Sequence, residues 1–290
     1  MPDASPSYLL SPSKPRLKLP AGACDAHVHV FGPRERFPFP PEATYTPPAD
    51  APKERLFALH AMLGIRHCVI VQSACHGFDN SAAGDALEAK KGDYLGVALV
   101  RPGVTDAELR RLDTQGFRGV RFNFMKHLGK GTPIDEVIAL SRRLADLGWH
   151  LQVHMESSLI EEMSGALGRS AVPVVIDHMG RVDAALGLEQ PAFRALLGLL
   201  RNKSFHVKVS GSERISRRGA PYADAVPFAK KLVAEFGDRV FWGTDWPHPN
   251  LAAVPDDGVL TDLIAEIAPS EAARRALLVD NPQRFYGFGK

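Results

Sequence analysis

A single-domain (β/α)8 barrel of the α/β class is the fold this sequence predicts, and three observations predict it. Eight short runs rich in Val, Ile and Phe recur along 290 residues, separated by longer stretches with helical periodicity. No break in composition divides the chain, and its length suits one α/β barrel. No G-x-G-x-x-G follows the first apolar run, so a doubly wound open sheet lacks its phosphate-binding turn. The barrel is expected over residues 20–290. Residues 1–19 form a Pro/Ser-rich tail that is laid over the body as an arm, covers the barrel's bottom or mediates assembly.

In chain order, strands are expected at 24–30, 67–72, 95–100, 119–124, 149–154, 172–177, 205–210 and 239–243. They read as continuous apolar runs more than strict alternations, as parallel strands buried on both faces should. Helices are expected at 53–63, 105–115, 134–147 and 225–236. Thr105-Asp106-Ala107-Glu108 resembles a capping box ahead of the stripe begun by Leu109 and Leu112. Gly64, Gly116, Gly148 and Gly237 each follow such a stripe, where a terminating glycine belongs.

Composition excludes several classes of function. Lys and Arg number 35 against 33 for Asp and Glu, a net charge of +2, so a polybasic nucleic-acid binder is ruled out. No apolar run approaches the ~20 residues needed to cross a bilayer, and the N-terminus lacks a signal-peptide core. Three cysteines without CxxC spacing suit a reducing compartment. The expectation is a cytoplasmic protein, monomeric or a homodimer, with neither membrane nor nucleic acid as a partner.

In a barrel of this kind, chemistry sits at the C-terminal ends of the strands. The first strand ends in Asp25-Ala26-His27-Val28-His29, and residues i and i+2 share a face, so His27 and His29 make half of a metal site. That spacing is weak evidence alone, since any two residues share a face at i and i+2. Strand five ends on His154, strand six on His178 and strand eight on Asp245. A lone buried histidine is ordinarily a satisfied core residue. Four placements at four strand ends are a constellation.

His27-x-His29, His154, His178 and Asp245 resemble the strand-end signature of the amidohydrolase superfamily. The closing Asn281-Pro282-Gln283-Arg284-Phe285-Tyr286-Gly287 is similar to the C-terminus of its amidohydrolase-2 branch. Ala23-Cys24-Asp25-Ala26-His27, Phe31-Gly32-Pro33, Val120-Arg121-Phe122-Asn123-Phe124, Asp177-His178-Met179-Gly180-Arg181 and Gly243-Thr244-Asp245-Trp246-Pro247-His248-Pro249-Asn250 resemble the 2-pyrone-4,6-dicarboxylate hydrolases and related lactonases. The resemblance spans residues 20–288. It implies a hydrolase that opens an anionic lactone of aromatic-compound breakdown, carboxylated or sulfonated. Lactone isomerisation or decarboxylation on the same barrel is the alternative chemistry. The pyrone-dicarboxylate hydrolases work without metal and carry Tyr at the end of strand five, where this chain has His154. They also carry an Arg just after strand four, where this chain reads Lys126-His127.

His154 restores the ligand set of the mononuclear relatives, such as the sulfomuconolactone and sugar-lactone hydrolases. The resemblance therefore implies one divalent ion, Zn²⁺ or Mn²⁺, held by His27, His29 and His154 with Asp245 close by or ligating. A metal-independent pyrone-dicarboxylate hydrolase is the other reading. Asp245 is expected to take a proton from the attacking water, and His178 to bind the metal or polarise the carbonyl. Arg121, Lys126, Arg181 and Arg214 gather at the mouth for an anionic substrate, with Tyr45 and Ser73 as hydroxyl donors and His127 beside them. His76 also lies near a strand end, and His248 follows Asp245 in the last loop without an assigned role. Arg217, Arg218, His60, His67 and His206 are expected to serve surface or packing. Cys24 and Cys68 are expected in the core. Cys75 lies near the mouth, where no base–orienter pattern makes it a nucleophile.

Overall fold

The computed structural model describes residues 6–41, 43–128 and 131–289. Its strands are β1 (Cys24–Val28), β2 (His67–Val71), β3 (Tyr94–Ala98), β4 (Phe117–Phe124), β5 (His150–Met155), β6 (Val174–Ile176), β7 (Phe205–Lys208) and β8 (Val240–Phe241). They lie in sequence order as one sheet, every neighbouring pair parallel. Backbone bonds from Ala26 N to Trp242 O (2.8 Å), Asp245 N to His27 O (2.8 Å) and His29 N to Trp246 O (2.7 Å) join the first strand to the chain that leaves the last. At that seam a Cβ on Gly243 would stand 2.6 Å from His27 N, so only glycine fits. Asp25 ties the same seam, accepting from Thr244 N (3.1 Å) and Thr244 Oγ1 (2.6 Å).

The intervening helices are α1 (Lys53–Leu63), α2 (Ser81–Ala89), α3 (Asp106–Thr114), α4 (Ile134–Ala145), α5 (Ile160–Leu167), α6 (Pro191–Leu200), α7 (Ser212–Ile215) and α8 (Val226–Phe236). After β8 come α9 (Asp257–Asp262), α10 (Ile264–Ile267), α11 (Glu271–Arg275) and α12 (Asn281–Tyr286). The expected cap of α3 is present on one side: Thr105 Oγ1 accepts from Glu108 N at 3.2 Å. Gly64, Gly116 and Gly148 take the left-handed conformation expected of them, with φ of 79°, 99° and 65°. Gly237 does not; it stays right-handed at φ −56°, where a Cβ would stand 2.8 Å from Val233 O, so crowding selects glycine there. The longer helices each bury one stripe. In α6 it is Phe193, Leu196, Leu199 and Leu200, each contributing about 1.5–3 kcal/mol by leaving water.

The bottom of the barrel is closed from the other end of the chain. Tyr286 and Phe288 pack with Cys24, Ala26, Val69, Val97, Val175 and Phe241. His206 stacks on Phe241, their planes 3° apart, in this same floor and far from chemistry. The N-terminal residues run elsewhere: Ser13 bonds to Asp256 and Arg16 to Asp262, so the arm lies along α9. No helix among the described residues is long and apolar enough to cross a membrane.

Candidate active site

The strand ends bring the predicted residues to one place. His27, His29, Asp177, His178 and Asp245 are all buried at the mouth. A small cavity there is walled by His29, Tyr45, Ser73, Arg121, His127, His154, His178, Arg214 and Asp245, among others. Local backbone strain marks the same two strand ends. His178, Met179 and Arg181 have φ of 50°, 53° and 56°, and Asp245, His248 and Asn250 have 65°, 57° and 63°. Side chains with a Cβ adopt that region only where their surroundings hold them. Gly211 is one such surrounding, since a Cβ on it would stand 2.8 Å from His178 Cβ.

Asp245 is the centre of the arrangement. Its Oδ1 faces His29 Nε2 at 3.4 Å, His27 Nε2 at 3.6 Å and His178 Nε2 at 3.7 Å, and its Oδ2 is ion-paired with Arg214. Burial alone would raise this carboxyl, but Arg214 and the surrounding imidazoles outweigh it and hold the group well below the carboxylate range. Burial holds all three imidazoles, and that of His154, below their ordinary value, so they stand neutral. His29 Nδ1 lies 2.7 Å from Val71 O, an acceptor, so it carries the proton and leaves Nε2 a free lone pair. His178 Nδ1 meets Ser210 Oγ at 2.9 Å.

This donor set fits a divalent ion. His27 Nε2 and Asp245 Oδ1 are buried without hydrogen-bond partners among the described residues. Separations of 3.4–3.6 Å match two ligands about 2.1 Å from one ion, which lie about 3.4 Å apart in a tetrahedron. His27 Nδ1 faces two groups at 3.3 Å, the carboxylate of Asp177 and the ammonium of Lys208. Donation to Asp177 leaves Nε2 free for an ion; donation from Lys208 places the proton at Nε2, pointing toward Asp245. His154 stands beside His178, their rings edge-on with centroids 5.4 Å apart, and its Nδ1 lies 3.3 Å from Asn123 Oδ1. Among the described residues, His27, His29 and Asp245 have ligating atoms within 4.8 Å of one another, and His154 joins no such group.

The cationic residues divide. Arg121 is buried, donates to Gln72 O at 2.7 Å, lies 3.8 Å from Asp177, and its Nε has no partner among the described residues. Arg214 bonds both Asp245 and Pro249 O. Burial and the neighbouring Arg214 lower the Arg181 guanidinium to about 10, which puts it in the same positive group although it does not wall the cavity. The Lys126 side chain is exposed and off that wall, whereas His127 is on it. Tyr45 and Ser73 share a hydrogen bond of 2.5 Å, and Cys75 Sγ reaches Ser73 Oγ at 3.3 Å.

Sequence reasoning missed what stands behind these groups. Lys208 is fully buried, donates to Gln152 Oε1 at 2.7 Å and stands 3.7 Å from Asp177. Burial lowers its ammonium to about 8. The signal was legible: Lys208 lies two residues after His206, on the inward face of a barrel strand. Glu213 is enclosed beside Asp245, its Oε1 3.7 Å from Arg214 Nε and neither oxygen hydrogen-bonded among the described residues, and burial together with the Asp245 charge raises it to about 7. His248 bonds Asp257 at 3.1 Å. His60, expected at the surface or in packing, is buried between Tyr94 and Asp25.

A parallel barrel with imidazoles, a carboxylate and arginines at the C-terminal mouth defines a hydrolase-type centre of the barrel amidohydrolases. The comparisons agree: residues 24–288 match the amidohydrolase family, and the chain belongs to it. It is 48% identical to a 2-pyrone-4,6-dicarboxylate hydrolase of Comamonas testosteroni, over 96% of this chain and 94% of that one. It is 40% identical to a 4-sulfomuconolactone hydrolase of Hydrogenophaga intermedia, over 94% and 91% respectively. The crystal structure of a probable 2-pyrone-4,6-dicarboxylic acid hydrolase from Acinetobacter baumannii with citric acid bound superposes with a TM-score of 0.82. That pair is 26% identical, covering 92% of this chain and all of the other.

Proposed function

We propose that this protein hydrolyses an anionic lactone, of the pyrone-dicarboxylate or sulfomuconolactone type. The observation that carries the reading is the union of two features in one small cavity. A carboxylate sits among neutral imidazoles, and buried arginines stand beside it. Arg121, whose Nε has no partner among the described residues, and Arg214 suit a carboxylate or sulfonate on the ring, and Arg181 adds to the field. His154, whose buried Nε2 has no partner among the described residues, is assigned to the substrate rather than to a metal. Tyr45 and Ser73 offer hydroxyls to the same anion.

In this reading Asp245 orients a water and takes its proton as the oxygen attacks the lactone carbonyl. The ring C–O bond then breaks, and the proton passes from Asp245 to the leaving oxygen. A carboxylate held so low is a weak base, so attack depends on polarisation of the carbonyl. His178 is placed to supply part of that. His27, His29 and Asp245 would hold a Zn²⁺ or Mn²⁺ ion, which supplies Lewis acidity toward the carbonyl when bound.

The test is turnover of 2-pyrone-4,6-dicarboxylate and 4-sulfomuconolactone in ¹⁸O-labelled water. Ring opening with one labelled oxygen in the product supports hydrolysis. Conversion without label would make the protein an isomerase, and no conversion of either lactone would reject the substrate class.

A further inference from the structure

We propose that the N-terminal arm is a positioning element for the loop that carries Asp245, with Tyr8 as its key residue acting through Trp246. Tyr8 is only 7% exposed although it lies near the chain's start. Its ring meets that of Trp246 with centroids 4.9 Å apart, and its hydroxyl donates to Asp50 O at 3.2 Å. Asp50 ends the loop that follows β1 and contains Tyr45; Ala51 next to it pairs with Phe31, two residues beyond His29. One side chain thus joins the two loops that bring His29, Tyr45 and Asp245 to the cavity.

Trp246 is the residue next to Asp245. It is fully buried, its N–H donates to Thr244 Oγ1 at 3.1 Å, and its carbonyl accepts from His29 N. Three residues of this loop, Asp245, His248 and Asn250, hold left-handed backbone and so need external support. The arm contributes support at a second point. Ser13 N and Oγ donate to Asp256 at 3.0 and 2.9 Å, and adjacent Asp257 holds His248. The arm has a fitted seat there, because a Cβ on Gly258 would fall 2.0 Å from Ser13 O. Loop and arm therefore form one packed unit, and loosening the arm frees the carboxylate to leave its place among the imidazoles.

The test uses the full-length chain with Tyr8→Ala, Tyr8→Phe and Gly258→Ala, the last displacing the arm without altering its sequence. Two readouts are taken: amide hydrogen exchange over 244–250, and kcat and KM for the lactone that the wild type turns over. Tyr8→Ala and Gly258→Ala should each speed exchange in that segment by about tenfold or more and lower kcat by a similar factor, with KM within about twofold. Tyr8→Phe, which keeps the ring, should recover most of both. Unchanged exchange over 244–250 in Tyr8→Ala and Gly258→Ala would overturn the proposal. So would faster exchange with undiminished kcat. The kinetic part rests on the proposed lactonase activity. Were the wild type inactive on both lactones, that reading would fail, while exchange would still decide whether the arm holds the loop.

Discussion

Asp245→Asn is the perturbation that bears most directly on the proposed chemistry. It keeps the side chain's shape while removing its charge and its ability to take a proton. Oδ1 of this carboxylate faces three imidazole nitrogens at 3.4–3.7 Å, and Oδ2 is ion-paired with Arg214. Loss of a positioned general base lowers rates by about 10²–10⁴-fold, or about 3–5 kcal/mol of barrier. An amide can keep its oxygen on the Arg214 donors and turn its NH2 toward the imidazole lone pairs, so the loss should fall on kcat more than on KM. Steady-state ring opening measures both parameters, with near-UV circular dichroism to show that the variant is folded. The wild-type pH profile supplies a second check. Because Asp245 is held below the usual carboxylate range, its basic form persists as pH falls and the rate should drop only below about pH 4. A kcat for a folded Asp245→Asn variant within tenfold of wild type would refute the assignment. An acid limb near pH 7 that disappears in Glu213→Gln would move the titrating role to Glu213, which stands at about 7.

Three further outcomes follow from the geometry. In protein loaded with Zn²⁺, elemental mass spectrometry should find the ion lost from His29→Ala and retained by His154→Ala, since only the first lies in the compact donor group; the reverse result would return His154 to the ligand set. Asp257 holds the His248 imidazole above its ordinary value against the opposing effect of burial. The stability from that pair is then complete below about pH 6.5 and lost as pH rises through the folded value. Tm of wild type should exceed that of His248→Asn by several degrees at pH 6, and the gap should narrow by pH 9. Burial raises the Cys75 thiol to about 11, despite opposing hydrogen bonds from Ser73 and Tyr45. At pH 8 it is thiolate to only about 0.1%, so iodoacetamide should label it at least a hundredfold more slowly than a free cysteine. Rapid labelling of the folded protein would contradict the enclosure.

The barrel was legible in the sequence because its strands and helices are written in periods of two and 3.6, which neighbouring residues alone express. Strand-end chemistry was legible for the same reason. Once a strand is placed, its last inward residue is known, and His27, His29, His154, His178 and Asp245 all lie at strand ends. Local pattern could not say which of these ends converge. His29 and Asp245 are 216 positions apart in the chain and meet only because the barrel closes, whereas His154, an equally good ligand in sequence, is turned toward Asn123 and His178. Lys208 shows the limit most clearly. Its position on an inward face was readable, but its bonds to Gln152 and its approach to His27 and Asp177 are set by strands brought together across the barrel. The arm is similar: a Pro/Ser-rich stretch has no period to read. That Tyr8 lies on Trp246 was decided by shape, hydrogen bonding and burial among residues more than two hundred positions apart, a property of the tertiary structure alone.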